Sequence, residues 1–267
     1  MAFAEINGFT MHYEDTGQGD PIILQPGWIS TGDAWAGIVP GLAGSYRCIV
    51  LETRGTGQSE RVAGGHTIVQ FADDLIALAD HLSIDRFTIV GHSMGGVIAT
   101  EVAAKVPQRV ERLVYVASTA DASYVPNEIW NMLLGLSDAI ADGDKEAAKG
   151  FMMGITARRE GVPFDLIAEA AVACSPEFIR DSIRSCAKFS PSRPPSAIET
   201  PALVIGGSAD AFLGASLATH AALPNATLHV FNRASHLLNV DVPVETAAAI
   251  DDFMQNGIVS AEMLMAG

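Results

Sequence analysis

Cysteine is scarce in this sequence: Cys48, Cys174 and Cys186 are the three in 267 residues. That number cannot build a disulfide framework, and its odd parity fits free thiols in a reducing compartment, leaving Cys174 with Cys186 as the one candidate bridge. Positive charge is scarce too, with 16 Lys and Arg against 31 Asp and Glu and a formal charge of -15. Such a surface repels phosphate backbones and anionic headgroups, which argues against nucleic-acid and membrane partners. No run approaches the roughly 18 apolar residues of a membrane span. The first eight residues carry an acid and a turn where an export signal needs positive charge and an apolar run, so a cytoplasmic protein is expected. Cysteines and histidines lack metal-ligand spacing, and the glycine-rich turn at 52–59 lacks the Gly-Lys-Ser/Thr of a phosphate loop. Neither a metal site nor nucleotide binding is therefore expected.

What is present is a chain that can bury a core, 49% hydrophobic and only 18% charged. Near-continuous apolar runs at 22–24, 48–51, 87–90, 113–116 and 202–205 read as strands buried on both faces. Runs at 9–14 and 228–231 alternate or are shorter and suit sheet edges. Helical patterns fall between them: Phe71, Leu75, Leu78 and Leu82 share one face behind a capping box of Thr67 and Gln70. Pro243, Ala247, Ile250, Phe253 and Gly257 mark a closing helix. This alternation predicts an α/β fold with a mostly parallel sheet covered on both faces by helices. Between 122 and 198 the rhythm breaks into helical pieces alone, including 128–140 and 176–188. The expected organisation is a core of residues 1–121 and 199–267 with a helical cap subdomain at 122–198. The apolar tail from Ile258, with Val259, Met263, Leu264 and Met265, either frays or docks on the body or on a second copy, so a homodimer is one candidate assembly.

The chemistry centres on Gly91-His-Ser-Met-Gly95, which joins a buried strand to a helix. Glycines on both sides permit the tight turn that lifts Ser93 clear of the sheet, and the helix N-terminus faces any negative charge forming beside it. A serine needs a base, and the base needs an acid to orient it. His236, in the loop between the last strand and last helix, reaches the same sheet edge. Asp210 follows the strand at 202–205 and precedes His236, as the chain order requires. Asp121 is the rival acid, several residues beyond its strand. The backbone N–H groups of Met94 and Trp28 are the candidate oxyanion donors.

Gln25-Pro-Gly-Trp28, Arg54-Gly-Thr-Gly-Gln-Ser59, Gly91 to Gly96, Gly206-Gly-Ser-Ala-Asp210 and His236 together resemble the α/β-hydrolase family in its serine-nucleophile branch. The resemblance implies an eight-stranded sheet, a cap inserted after the sixth strand, no cofactor, and Ser93, Asp210 and His236 as nucleophile, acid and base. Two departures stand out: Pro26-Gly27 replaces the usual His-Gly, and Glu52 stands where an aspartate is common. Ser93 disfavours aspartate-nucleophile dehalogenases and epoxide hydrolases, and Leu237 in place of tryptophan weakens a carbon–carbon hydrolase. Gly27-Trp28 is similar to esterases and perhydrolases, Thr53-Arg-Gly to enol-lactone hydrolases, and Pro-Gly-Trp to cofactor-free ring-opening oxygenases.

The expected activity is hydrolysis of a carboxylic ester or lactone of a small apolar metabolite through an acyl-enzyme. The alternatives are a carbon–carbon hydrolase, a cofactor-free oxygenase, and a non-catalytic ligand receptor on the same fold. Trp28, His92, Trp130, Met152, Met153 and Leu237 are the candidate substrate contacts, within an apolar set that also includes Met132, Leu133, Leu136, Phe151, Phe164 and Phe178. The inserted stretch holds half of the basic residues. Arg158, Arg159, Arg180 and Arg184 either bind a substrate carboxylate or are solvated surface charges.

Overall fold

The computed structural model describes residues 2–258. The chain enters through a hairpin, β1 (Ala2–Ile6) and β2 (Phe9–Thr16). Its turn residues Asn7 and Gly8 take φ of 44° and 81°, the left-handed pair that a two-residue hairpin loop requires. There follow β3 (Asp20–Gln25), β4 (Tyr46–Leu51), β5 (Phe87–His92), β6 (Val110–Val116), β7 (Ala202–Gly207) and β8 (Ala226–Phe231). They form one eight-stranded sheet in the order β1-β2-β4-β3-β5-β6-β7-β8. β2 is antiparallel to both neighbours, and every other pairing is parallel. The edge expected at 9–14 is thus one strand further out, because β1 covers β2. After β4 the chain crosses back over β3 to add β5, so the loops following β3 and β5 diverge at a topological switch point, where α/β sheets build their sites.

Helices α1 (Val39–Leu42), α2 (Ile68–His81) and α3 (Met94–Lys105) alternate with these strands. Between β6 and β7 lie α4 (Asn127–Ala141), α5 (Lys145–Gly154), α6 (Phe164–Val172) and α7 (Pro176–Ala187), and the chain closes with α8 (Leu213–Ala222), α9 (Leu238–Asp241) and α10 (Pro243–Asn256). On one sheet face Phe71, Leu75 and Leu78 of α2 pack with Val97, Ile98 and Val102 of α3. On the other, Trp35 and Leu42 meet Ile250 and Phe253 of α10. The Thr67 hydroxyl caps α2 by accepting from the Gln70 N–H, but the Gln70 amide turns to Asp74 instead of completing the capping box. Asp74 is committed to a buried ion pair, accepting from Arg54 Nε and Nη2 at 2.7 Å each.

The first core cluster runs without a break from β1 through the sheet into Trp130, Leu133, Met152, Phe164 and Ile183 of the inserted helices. Sheet and insert therefore share one apolar interior. The three cysteines are buried and unbridged. Among the described residues no helix is long and apolar enough to cross a membrane. Ile258 packs on the second cluster; the remainder of the apolar tail, with Val259, Met263, Leu264 and Met265, lies outside the described residues.

Candidate active site

Ser93 directly follows β5 with φ 52° and ψ −120°, and α3 begins at the next residue. An L-residue is rarely held in that region, so the turn must be forced by its surroundings. It is: a Cβ on Gly91 would come within 2.4 Å of Gly95, and one on Gly95 within 2.3 Å of the Gln25 carbonyl oxygen. Only glycine at both positions lets the α3 start, β5 and the β3 loop converge. The Ser93 N–H donates to the Val116 carbonyl at 3.0 Å, and the Ser118 hydroxyl donates to the Ser93 carbonyl, fixing the turn against β6.

Three side chains from separate loops meet above the sheet's carboxyl edge. His236 Nε2 lies 2.9 Å from Ser93 Oγ, and His236 Nδ1 lies 3.2 and 3.1 Å from Asp210 Oδ1 and Oδ2. Asp210 Oδ1 also accepts the Phe212 N–H at 2.9 Å, and the Phe212 ring lies 4.5 Å from the imidazole. Ser93, Asp210 and His236 are thus brought together as the sequence motifs imply. Asp121 is not among them; its carboxylate caps a short turn by accepting from the Ser123 N–H at 2.8 Å.

The His236 loop is fixed by groups the sequence did not reveal. Its N–H and that of Leu237 both donate to the Ile155 carbonyl, at 3.1 and 3.2 Å. The Asp241 carboxylate gathers the N–H groups of Ala157, Arg158 and Ser235. A carbonyl acceptor leaves no signature in a sequence. His92 is the third support: its Nε2–H donates to the His236 carbonyl at 3.0 Å. Burial, and secondarily the neighbouring His236, pull the His92 pKa down to about 3, so the ring is neutral.

Trp28 and Met94 both border the cavity beside Ser93. The Met94 N–H is at the first turn of α3, where no intrahelical acceptor exists. The indole of Trp28 donates to the Ile179 carbonyl of α7 at 2.9 Å, tying the β3 loop to the insert. At the Pro26-Gly27 departure His92 packs close, with Nδ1 3.1 Å from where a Gly27 Cβ would stand. Glu52, the second departure, is buried, faces His12 Nδ1 at 3.0 Å and accepts from the Gln58 N–H.

The cavity encloses about 420 Å³. Trp28, His92, Trp130, Met152 and Leu237 line it as expected, joined by Leu133, Phe151, Ile167 and Ile183. Met153 does not: it is 37% exposed on the outer side of α5, because neighbouring helical residues point about 100° apart. Met132 is likewise exposed, and Phe178 is fully buried against Phe71 and His66 in the core. None of the four insert arginines borders the cavity. Arg180 and Arg184 pair with Asp138 on α4, Arg158 donates to the Glu160 carbonyl, and Arg159 stacks over Phe164. Of the two readings of these arginines, surface charge is the one this placement fits, since acids distant in sequence already pair with two of them. Among the described residues no group of three or more His, Cys, Asp or Glu could hold a metal ion.

A family-wide sequence profile described as the alpha/beta hydrolase fold matches residues 20–160, more than half of the chain. A soluble epoxide hydrolase of Corynebacterium sp. (strain C12) is 36% identical over 110 residues, 41% of this chain and 38% of that protein. A cis-3-alkyl-4-alkyloxetan-2-one decarboxylase of Shewanella oneidensis is 33% identical over 144 residues, 50% of this chain and 45% of that protein. The matched stretches thus span less than half the length of either relative. The enol-lactonase of Burkholderia xenovorans LB400 superposes with a TM-score of 0.86 at 24% identity, over 96% of this chain and 100% of that one.

Proposed function

The chain belongs to the alpha/beta hydrolase fold family, and from that premise we propose that it is a serine hydrolase of a carboxylic ester or lactone, working through an acyl-enzyme on Ser93. The observation that carries the reading is the 2.9 Å approach of His236 Nε2 to Ser93 Oγ with Asp210 behind Nδ1. With Nδ1–H held by the carboxylate, Nε2 presents its lone pair to the hydroxyl and takes the proton as Oγ attacks the substrate carbonyl. The oxyanion forms against the N–H groups of Trp28 and Met94 and the positive end of α3. Collapse breaks the carbonyl-carbon to alkoxide bond, and His236 returns the proton to the leaving oxygen. Water then repeats the sequence on the acyl-enzyme, releasing the acid and restoring the Ser93 proton.

The names of the two sequence relatives point to an epoxide and to an oxetanone, which is a four-membered lactone. Serine rather than aspartate at 93 supports acyl chemistry over epoxide opening. The cavity wall of Trp130, Leu133, Met152, Phe151 and Ile167 supports a small, largely apolar acyl group.

The test is labelling with an active-site-directed fluorophosphonate, mapped by peptide mass spectrometry, beside turnover of p-nitrophenyl butyrate. Wild-type protein is expected to label at Ser93, and Ser93→Ala to lose both label and turnover by several orders of magnitude while remaining folded. Substantial turnover by a folded Ser93→Ala variant would remove acyl transfer from the reading.

A further inference from the structure

The residue that holds the base loop also borders the cavity. Ile155 caps the carboxyl end of α5, its N–H donating to the Phe151 carbonyl at 3.1 Å. Its own carbonyl is the acceptor for the N–H groups of His236 and Leu237. Ile155 is half-buried, packs on the apolar interior that includes Trp28 and Leu237, and borders the cavity together with Phe151 and Met152. Phe151, one turn earlier, sets its ring edge-on to Trp28 with centroids 5.9 Å apart. One turn of α5 thus meets the residue of a candidate oxyanion donor at Phe151 and the base loop at Ile155.

This turn is tied down on one side and open on the other. The Thr156 hydroxyl donates to the Met152 carbonyl at 2.5 Å, and the Asp241 carboxylate joins the N–H groups of Ala157 and Arg158, from the insert, to that of Ser235, from the base loop. Where Phe151 and Ile155 border the cavity they have space in place of packed atoms, and forgo the dispersion contacts a neighbour would supply. The two bonds to the Ile155 carbonyl, at 3.1 and 3.2 Å, lie at the long end of the usual range, so a small shift of Ile155 loosens both. An apolar ligand group filling the space makes its best contacts when the turn sits in place, and so favours the arrangement in which that carbonyl holds His236.

We infer that Ile155 is a positioning and specificity-determining residue: an apolar substrate group seated against it tightens the His236 loop, so that fit to the cavity is expressed in turnover as well as in binding. This rests on the ester or lactone reading and deepens it. Substrates too small to fill the space beside Phe151 and Ile155 meet a looser base and turn over more slowly.

N-propylbutanamide, the amide counterpart of propyl butyrate, tests the coupling without turnover. It is titrated by tryptophan emission, since Trp28 and Trp130 line the cavity, and amide hydrogen exchange at His236 and Leu237 is followed with and without saturating ligand. In the wild-type chain the ligand is expected to slow exchange at both amides by at least about fivefold, the low end of coupling between sites. Ile155→Ala is expected still to bind the amide but to lose this protection, and Ile155→Val to recover most of it. On p-nitrophenyl butyrate, Ile155→Ala is expected to lower kcat about tenfold with a smaller change in KM, since misalignment affects the transition state more than binding. Undetectable binding, wild-type exchange unmoved by saturating ligand, protection that survives in folded Ile155→Ala, or an effect on KM alone overturns the proposal. The wild-type comparison stands even if the alanine variant does not fold. Protection with no ester cleavage would sink the hydrolase reading alone, and cleavage with unmoved exchange would sink the coupling alone.

Discussion

His92 donates its Nε2–H to the carbonyl oxygen of His236, so the residue preceding the nucleophile holds the residue that carries the base. The bond joins the end of β5 to the loop after β8, across 144 positions of chain. Donation to that carbonyl favours the protonated ring, but burial outweighs it and pulls the His92 pKa from 6.5 to about 3, so the ring is neutral.

That depressed pKa has a signed effect on stability. Below about pH 6.5 the unfolded chain binds a proton at His92 that the folded chain refuses, so this contribution is present above pH 6.5 and is lost as pH falls toward 3. His92→Gln removes the titration and retains a side-chain N–H donor. Between pH 7 and pH 5 the wild type is expected to lose about 2 kcal/mol more than the variant, from one proton over 1.5 pH units. Urea denaturation at the two pH values measures the difference, and equal losses would show that His92 does not couple to folding.

The orienting acid is separable from its rival by substitution. Asp210→Asn is expected to lower kcat at least about a hundredfold on a chromogenic ester, by the loss of tautomer control and imidazolium stabilisation. Asp121→Asn should stay near wild type, since that carboxylate caps only the Ser123 N–H. The reverse ranking in two folded variants would transfer the role to Asp121.

Much of this site could be read from residues, and the part that could not has physical causes. The Ser93 turn was legible because two glycines, a buried strand and a helix leave one local geometry, and Asp210 and His236 followed from chain order along a parallel sheet. β1 was missed although Asn7-Gly8 is a hairpin signal, because only Ala4 and Ile6 of its five residues are buried and the run is not visibly apolar. The cavity wall was half legible. Apolar content identifies a segment that packs, but Met152 and Met153 differ only in helical phase, which the neighbouring helix decides. The insert arginines stay open between two roles in the sequence because their partners are remote: Asp138 on α4 and Asp142 just past its end, which pair with Arg180, lie about 40 residues away.

The Arg54–Asp74 pair ties the turn after β4 to α2 with both side chains under 10% exposed. Asp74→Asn leaves a buried guanidinium without its counter-charge and is expected to destabilise the fold by about 3–5 kcal/mol. Chemical denaturation of the variant against wild type gives the number directly. A loss under about 1 kcal/mol would mean that Arg54 finds another acceptor.

Asp241 is a positioning residue for the base. Asp241→Ala removes one acceptor from three backbone N–H groups, those of Ala157, Arg158 and Ser235. The expected result is a fall of about tenfold in kcat with a smaller change in KM, as the imbalance expected when transition-state alignment suffers more than binding. Asp241→Asn, which keeps one side-chain oxygen, is expected to recover part of the loss. A KM effect alone would place Asp241 in substrate binding.

The Ile155 carbonyl, taking the N–H of both His236 and Leu237, makes the end of α5 a pivot. An insert that swung about any other point would drag the imidazole away from Ser93 and stall the chemistry it was opening to serve. Widening for a bulkier acyl group therefore falls to lining residues that make no hydrogen bond to the base loop, such as Val162, Leu166 and Ile167. Substrate size and catalytic alignment are in this way assigned to different residues of the insert, and the first can drift over generations without unsettling the second.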